Sequence, residues 1–169
     1  MTVYEEQLSL FPSDVGGDAI IQDQYRYQLA RWWGPDPRVL LWILLNPSLA
    51  DATHTDRTLE KCMQFTKREG YQRLQIVNIF AFRSTDPDNL RSTADPVGPH
   101  NKHYVLQAAA GADRIIIGWG NHATLRGQDR EMLTWLAPYQ LWCLRVTNAG
   151  HPWHPLYIPK NEPFQLFTP

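Results

Sequence analysis

Cysteine is scarce: Cys62 and Cys143 are the only two in 169 residues. Two cannot build a four-cysteine zinc or iron–sulfur site, and their apolar contexts read as buried thiols in a reducing compartment. Long apolar runs are also missing. None approaches the roughly 20 residues of a membrane span, and the first residues carry Glu5 and Glu6 in place of a signal-peptide core. A cytoplasmic protein with no membrane partner is expected. Charge of one sign is absent too, with a formal net charge of -1 and a pI near 6.6. That argues against a nonspecific nucleic-acid binder held by a basic surface. It leaves room for a local basic face, because Arg26, Arg31, Arg38, Lys61, Lys67, Arg68, Arg73, Arg83 and Arg91 lie in the first two thirds. No Walker-type loop, Gly-x-Gly-x-x-Gly, Gly-x-Ser-x-Gly or His-Glu-x-x-His occurs, so ATPase, nicotinamide-enzyme, serine-hydrolase and zincin readings lose their usual support.

What is present fits one globular core: 43% hydrophobic and 20% charged residues over a length typical of a single domain. Residues 1–18, with Pro12, Gly16 and Gly17, read as a flexible arm, and 19–169 as one domain. Seven tryptophans fill the core or line a planar-ligand pocket. Ile20 to Trp33 reads as a strand or hairpin before the Gly34-Pro35-Asp36-Pro37 turn. Four apolar runs follow: Val39 to Leu45, Leu74 to Phe80, Ile115 to Gly120 and Leu141 to Val146. Their continuity predicts strands buried on both faces. Helices are expected from a Thr55 or Asp56 cap to about Glu69, over Asn101 to Ala110, and over Gln128 to Leu136. Ser84 to Pro99 is expected to be a long loop with at most a short helical turn. Strands alternating with helices predict a three-layer α/β/α domain around a mainly parallel, four-stranded sheet. Ligands in such sheets sit beyond the carboxyl ends of the strands.

The chemically loaded loops begin at those ends. Asn46-Pro47-Ser48 presents a neutral amide on a stiffened turn, or merely ends a strand. Asp51 and Asp56 supply carboxylates that orient a water, or else cap a helix. Asn78 is an amide inside an apolar run, and once buried it must find a partner in the core or in a ligand. His122 follows Gly118-Trp119-Gly120-Asn121, and His151 and His154 are set between prolines in His151-Pro152-Trp153-His154-Pro155-Leu156-Tyr157. No ligand spacing among His54, Asp51, His151 and His154 singles out a metal site, and no cofactor is expected. Amides and imidazoles among apolar walls suit a flat, uncharged, hydrogen-bonding ligand such as a nucleobase.

Taken in order, Asn46-Pro47-Ser48, Asn78, Gly118-Trp119-Gly120-Asn121-His122 and His151-Pro152-Trp153-His154-Pro155-Leu156 resemble the motifs of the uracil-DNA glycosylase superfamily. Over residues 24–167 the chain also resembles a bacterial and phage family, number 1643 among domains of unknown function, through Asn46-Pro47-Ser48-x-Ala50-Asp51 and Gly150-His151-Pro152-x-His154-Pro155-Leu156. The glycosylase resemblance implies that Asn46 positions the attacking water, with Asp51 assisting. It implies that Ser48 leaves room where strict uracil enzymes carry a bulky Tyr, and that Asn78 reads the base. The base-stacking Phe of that superfamily falls to Phe65 or Phe80. Its final motif implies an anion-stabilising His and a Leu that wedges into the duplex. One extra residue here leaves His151 or His154 for the first role and Trp153 or Leu156 for the second. Arg57, Arg83, Arg91 and His122 are candidate DNA contacts on the same edge.

The resulting expectation is a monomeric, monofunctional DNA glycosylase that releases a flipped-out, 5-substituted pyrimidine to leave an abasic site, in repair or in defence against phages with modified DNA. Two other classes fit the same residues: a non-catalytic reader of a nucleobase or DNA, and a hydrolase of free nucleosides or nucleotides.

Overall fold

The computed structural model describes residues 4–5 and 15–169. Its centre is a mixed sheet of β1 (Tyr4–Glu5), β2 (Gly16–Gln22), β3 (Tyr25–Trp32), β4 (Leu40–Leu44), β5 (Arg73–Asn78), β6 (Arg114–Ile117), β7 (Leu141–Cys143) and β8 (Gln165–Leu166). The spatial order is β1-β2-β3-β5-β4-β6-β7-β8. The helices are α1 (Arg57–Arg68), α2 (Asn89–Ser92), α3 (Asn101–Gly111) and α4 (Gln128–Trp135), with short 3-10 turns at Asn121–Gly127 and Pro155–Tyr157.

All four expected apolar runs contribute strands, β4 to β7, and they pair parallel in the order β5-β4-β6-β7. β4 is apolar and buried throughout because both its faces are covered, whereas β5 also carries Arg73, Gln75 and Asn78 and β6 opens on Arg114. In β4, Leu40, Trp42 and Leu44 point into the core under α1, whereas Leu41 and Ile43 point into the core under α2, α3 and α4. The sheet is nonetheless wider than the four strands expected. The hairpin β2–β3 joins antiparallel to β5 at one edge and the short β8 joins antiparallel to β7 at the other. A half-polar hairpin and a two-residue strand carry no continuous apolar signature, which is why the expected count falls short. The expected arm is also too long. Gly16 to Asp18 already pair with Trp32 to Ala30 in β2, Tyr4 and Glu5 pair with Ile21 and Ile20, and the remainder of 1–14 lies outside the described residues.

Helix α1 begins where Asp56 caps it: Oδ1 accepts the backbone N–H of Leu59 at 2.8 Å. Its apolar face sets Leu59, Cys62 and Phe65 against the sheet. Trp42 donates its indole N–H to Thr66 Oγ1 at 3.0 Å, and Thr66 in turn donates to the Cys62 carbonyl, so the polar atoms at this interface are paired. Among the described residues no helix is long and apolar enough to cross a membrane.

Candidate functional site

The parallel strands β4 and β5 end side by side, Leu44 opposite Asn78. Because β3 runs antiparallel to β5, the start of β3 reaches the same edge, where the Arg26 backbone N–H donates to the Ala81 carbonyl at 2.9 Å. A cleft opens here on the α1 side, lined by Arg26, Asn46, Ser48, Asp56, Asn78 and His154 over an apolar base that includes Leu29, Leu44, Leu59 and Ile76. The cavity itself encloses about 30 Å³ and opens to solvent. Five residues that the sequence singled out for different tasks therefore meet: Asn46, Ser48, Asp56, Asn78 and His154.

Each polar group in the cleft has a defined local state. Asn46 donates its amide hydrogens to the carbonyls of Pro47 and Ser84, at 3.1 and 2.9 Å. Its Oδ1 is left as the acceptor. Asn78 is 1% exposed, and neither Oδ1 nor Nδ2 has a partner. Its backbone carbonyl is satisfied by Asn101 Nδ2 at 2.9 Å, so the side chain alone is orphaned. Leaving a buried amide unpaired costs about 1–3 kcal/mol, so a water or a ligand in the cleft completes its bonding.

His154 Nδ1 accepts the backbone N–H of Leu156 at 3.3 Å. Burial lowers the imidazole pKa to about 4, with the Asp56 carboxylate pulling weakly the other way. The ring is neutral at pH 7, and with Nδ1 used as acceptor its proton resides on Nε2. The structure thus separates the two histidines. His151 turns to the α4 side, with Nδ1 3.9 Å from Asp129 Oδ2 and its backbone N–H on Thr147 Oγ1.

Several expected site residues lie elsewhere. Asp51 closes the turn 51–54. Burial raises its pKa, but hydrogen bonds from the backbone and side chains of His54 and Thr53 outweigh this and hold the carboxyl well below its usual range. Its acceptors are spent on the turn and it does not line the cleft. Phe65 is fully buried between Trp42 and Phe164, and Phe80 lies in the core on the opposite face of the sheet. Neither ring lines the cleft, because each is packed into a core layer. Trp153 packs against the α1-side core and Leu156 is half-buried. Arg57 is exposed at the first turn of α1. Arg83 lines an open groove with Asp23, Leu49 and Phe82 that shares Ser48 with the cleft. Arg91 and His122 line a separate hollow with Leu90, Asn121 and Leu125.

Sequence reasoning missed Arg26 as a cleft residue. It also passed over two exposed apolar side chains, Leu49 (65% exposed), next to Ser48, and Tyr157 (72%), whose ring centroid is 6.2 Å from that of His154. Large apolar groups beside the polar motif residues Ser48 and His154 are the signal that points to them. Among the described residues, no three His, Cys, Asp or Glu side chains cluster as a metal site.

The loop carrying His154 is seated by Gly118. A Cβ there would lie 3.1 Å from Pro155 Cδ and 3.2 Å from the Trp153 carbonyl oxygen. Gly118→Ala is expected to displace that loop, costing about 1–3 kcal/mol of stability as overpacking does. Denaturant unfolding checks the stability loss, and comparison with His154→Ala checks whether any activity falls in parallel.

The fold and cleft define an α/β protein with a polar, partly closed pocket at the carboxyl ends of adjacent parallel strands. A family model described as "Protein of unknown function (DUF1643)" matches residues 26–156, and the chain belongs to that family. No curated protein and no solved structure matches it.

Proposed function

We propose that the cleft receives a nucleobase and that the protein hydrolyses the N-glycosidic bond of a flipped-out, 5-substituted pyrimidine in DNA, leaving an abasic site. The observation that carries this reading is the unpaired, buried amide of Asn78 in one cleft with Asn46 and His154. A primary amide offers a donor and an acceptor side by side, which is the pattern of a pyrimidine edge.

In the proposed reaction the C1′–N bond breaks with its electron pair moving to the base, and a water oxygen bonds to C1′. The Asn46 Oδ1 accepts a hydrogen bond from that water and holds it on the sugar. Neutral His154 donates Nε2–H to the base as negative charge grows there. The water proton leaves to solvent or to the released base. This arrangement resembles that of the uracil-DNA glycosylases at Asn46, Asn78 and the His154-Pro155-Leu156 segment. It departs from it in that, among the described residues, no Phe, Tyr or Trp lines the cleft, so aliphatic Leu29, Leu44, Leu59 and Ile76 supply the apolar contact. Leu49 and Tyr157 replace Trp153 and Leu156 as the groups that fill the gap in the duplex. Ser48 is the passage from cleft to groove, where the 5-substituent lies, and Arg83 in that groove contacts phosphate. Repair and defence against phages with modified DNA both fit this chemistry.

The test is base release from duplex and single-stranded DNA carrying uracil, 5-hydroxymethyl or glucosylated pyrimidines, followed by cleavage of abasic sites. Release abolished by Asn46→Ala and His154→Ala supports the reading. Tight binding without any abasic product selects a non-catalytic reader, and turnover of mononucleosides alone selects a nucleoside hydrolase.

A further inference from the structure

Arg26 is the least expected group in the cleft. It is 4% exposed, yet its guanidinium makes one hydrogen bond to the protein among the described residues, Nη1 to the Ala50 carbonyl at 2.8 Å. Its Nε is buried without a partner, and among the described residues no carboxylate lies within 4 Å to form an ion pair. The charges around it are mixed: Asp56 and Asp51 favour the cation, whereas Arg31 and Arg83 oppose it. Burial lowers its pKa, but only to about 10, so it is a cation throughout the neutral range. Asp56 does not neutralise it by contact, because Asp56 spends Oδ1 on the Leu59 N–H and Oδ2 on the Ala50 N–H. A buried charge left unpaired is strongly destabilising. Arg26 and Asn78 are therefore two residues with unmet hydrogen bonds, lining one cleft.

From this juxtaposition we infer that Arg26 is an anion-holding residue, and that the ligand presents to it an oxygen, or a ring atom conjugated to one, that is negative when bound. Guanidinium only donates, so it discriminates by charge, whereas the Asn78 amide reads the donor and acceptor pattern beside it. The ligand class is a planar keto-heterocycle able to carry delocalised negative charge. Resting on the proposed function, this makes the positive charge facing the departing base a permanent one from β3, with neutral His154 acting as a second donor. Arg26 would then act on the bond-breaking step more than on ground-state binding.

The experiment compares wild type with Arg26→Gln and Arg26→Lys in two assays, after circular dichroism shows that each variant is folded. The first titrates barbiturate, a planar keto-heterocycle that is anionic at neutral pH, against uracil, its neutral relative of similar size. Wild type is expected to prefer barbiturate by about tenfold or more, the scale of one charge-assisted hydrogen bond. Arg26→Gln is expected to lose that preference and Arg26→Lys to keep part of it. The second measures single-turnover base release, where Arg26→Gln is expected to lower the maximal rate about 100-fold or more with little change in the enzyme concentration that gives half of it. Arg26-dependent preference for barbiturate without base release from any DNA leaves this inference standing and removes the glycosylase reading. Base release unaffected by Arg26→Gln, or equal binding of the two heterocycles by wild type, overturns the inference and leaves the glycosylase reading in place. Absence of both binding and release overturns both.

Discussion

Asn78→Leu is expected to make the protein more stable and inactive at once. Asn78 is buried with both amide atoms unpaired at the end of β5, so its desolvation is uncompensated in the free protein. Leucine, of similar size, removes that penalty and adds apolar contact with Leu44, Leu59 and Ile76, which line the same cleft. The gain is expected to be about 1–3 kcal/mol, the cost of a buried unsatisfied polar group, readable as a raised midpoint in urea at unchanged slope. Base release is expected to fall by about 1,000-fold or more, because the base loses its hydrogen-bonded register while apolar bulk occupies its place. Opposite movement of stability and activity distinguishes a ligand-reading amide from a structural one. A structural Asn78 would instead lose stability on substitution.

The second large effect concerns His154 and pH. Its folded pKa of about 4 lies below the unfolded reference near 6.5. Above about pH 6.5 both states are neutral and the group contributes nothing to pH dependence. As pH falls from about 6.5 to about 4 the unfolded chain takes up the proton first, so stability drops through that window, by about 3 kcal/mol for a shift of this size. His154→Gln is expected to remove this component of acid sensitivity, seen as a flatter dependence of unfolding free energy between about pH 6.5 and 4. It is also expected to lower base release about 100-fold, the cost typical of one preorganised donor. Asp51, whose pKa is held below its ordinary value, contributes stability that is present above about pH 4 and is lost as pH falls further. Its effect is therefore separable from that of His154. The Asp51 side chain closes its own turn, so Asp51→Asn is expected to alter stability more than the chemistry of the cleft.

Much of the fold and part of the cleft are legible in the order of the amino acids. The four apolar runs form the four parallel strands because largely apolar runs suit strands covered on both faces. Asp56 caps α1 as a short carboxylate ahead of an amphipathic stretch should. Asn78 stands out because an amide breaks the apolar run it sits in. Arg26 does not stand out, since it falls among the partly alternating apolar and polar side chains of Ile20 to Trp33, which read as a strand or hairpin. Pairing on both sides, with β2 and β5, makes β3 an interior strand, which buries Arg26. Local sequence is silent on that placement. The choice between His151 and His154 is equally hidden. Three residues apart, they are divided by the seat of Pro155 and Trp153 against Gly118, a contact between distant parts of the chain. Residue type alone points to the two phenylalanines, and packing takes each into a core.

On the proposed function, Asn46, Asn78 and His154 form one base-releasing site. The most direct test is incubation of the protein with end-labelled DNA carrying single uracil, 5-hydroxymethyl or glucosylated pyrimidines, scored for strand breaks after alkaline cleavage of abasic sites. Breaks are expected at a 5-substituted pyrimidine with wild type and none above background with Asn46→Ala or Asn78→Leu. Intact strands with every one of these substrates, or breaks that persist in both variants, would contradict the proposed function.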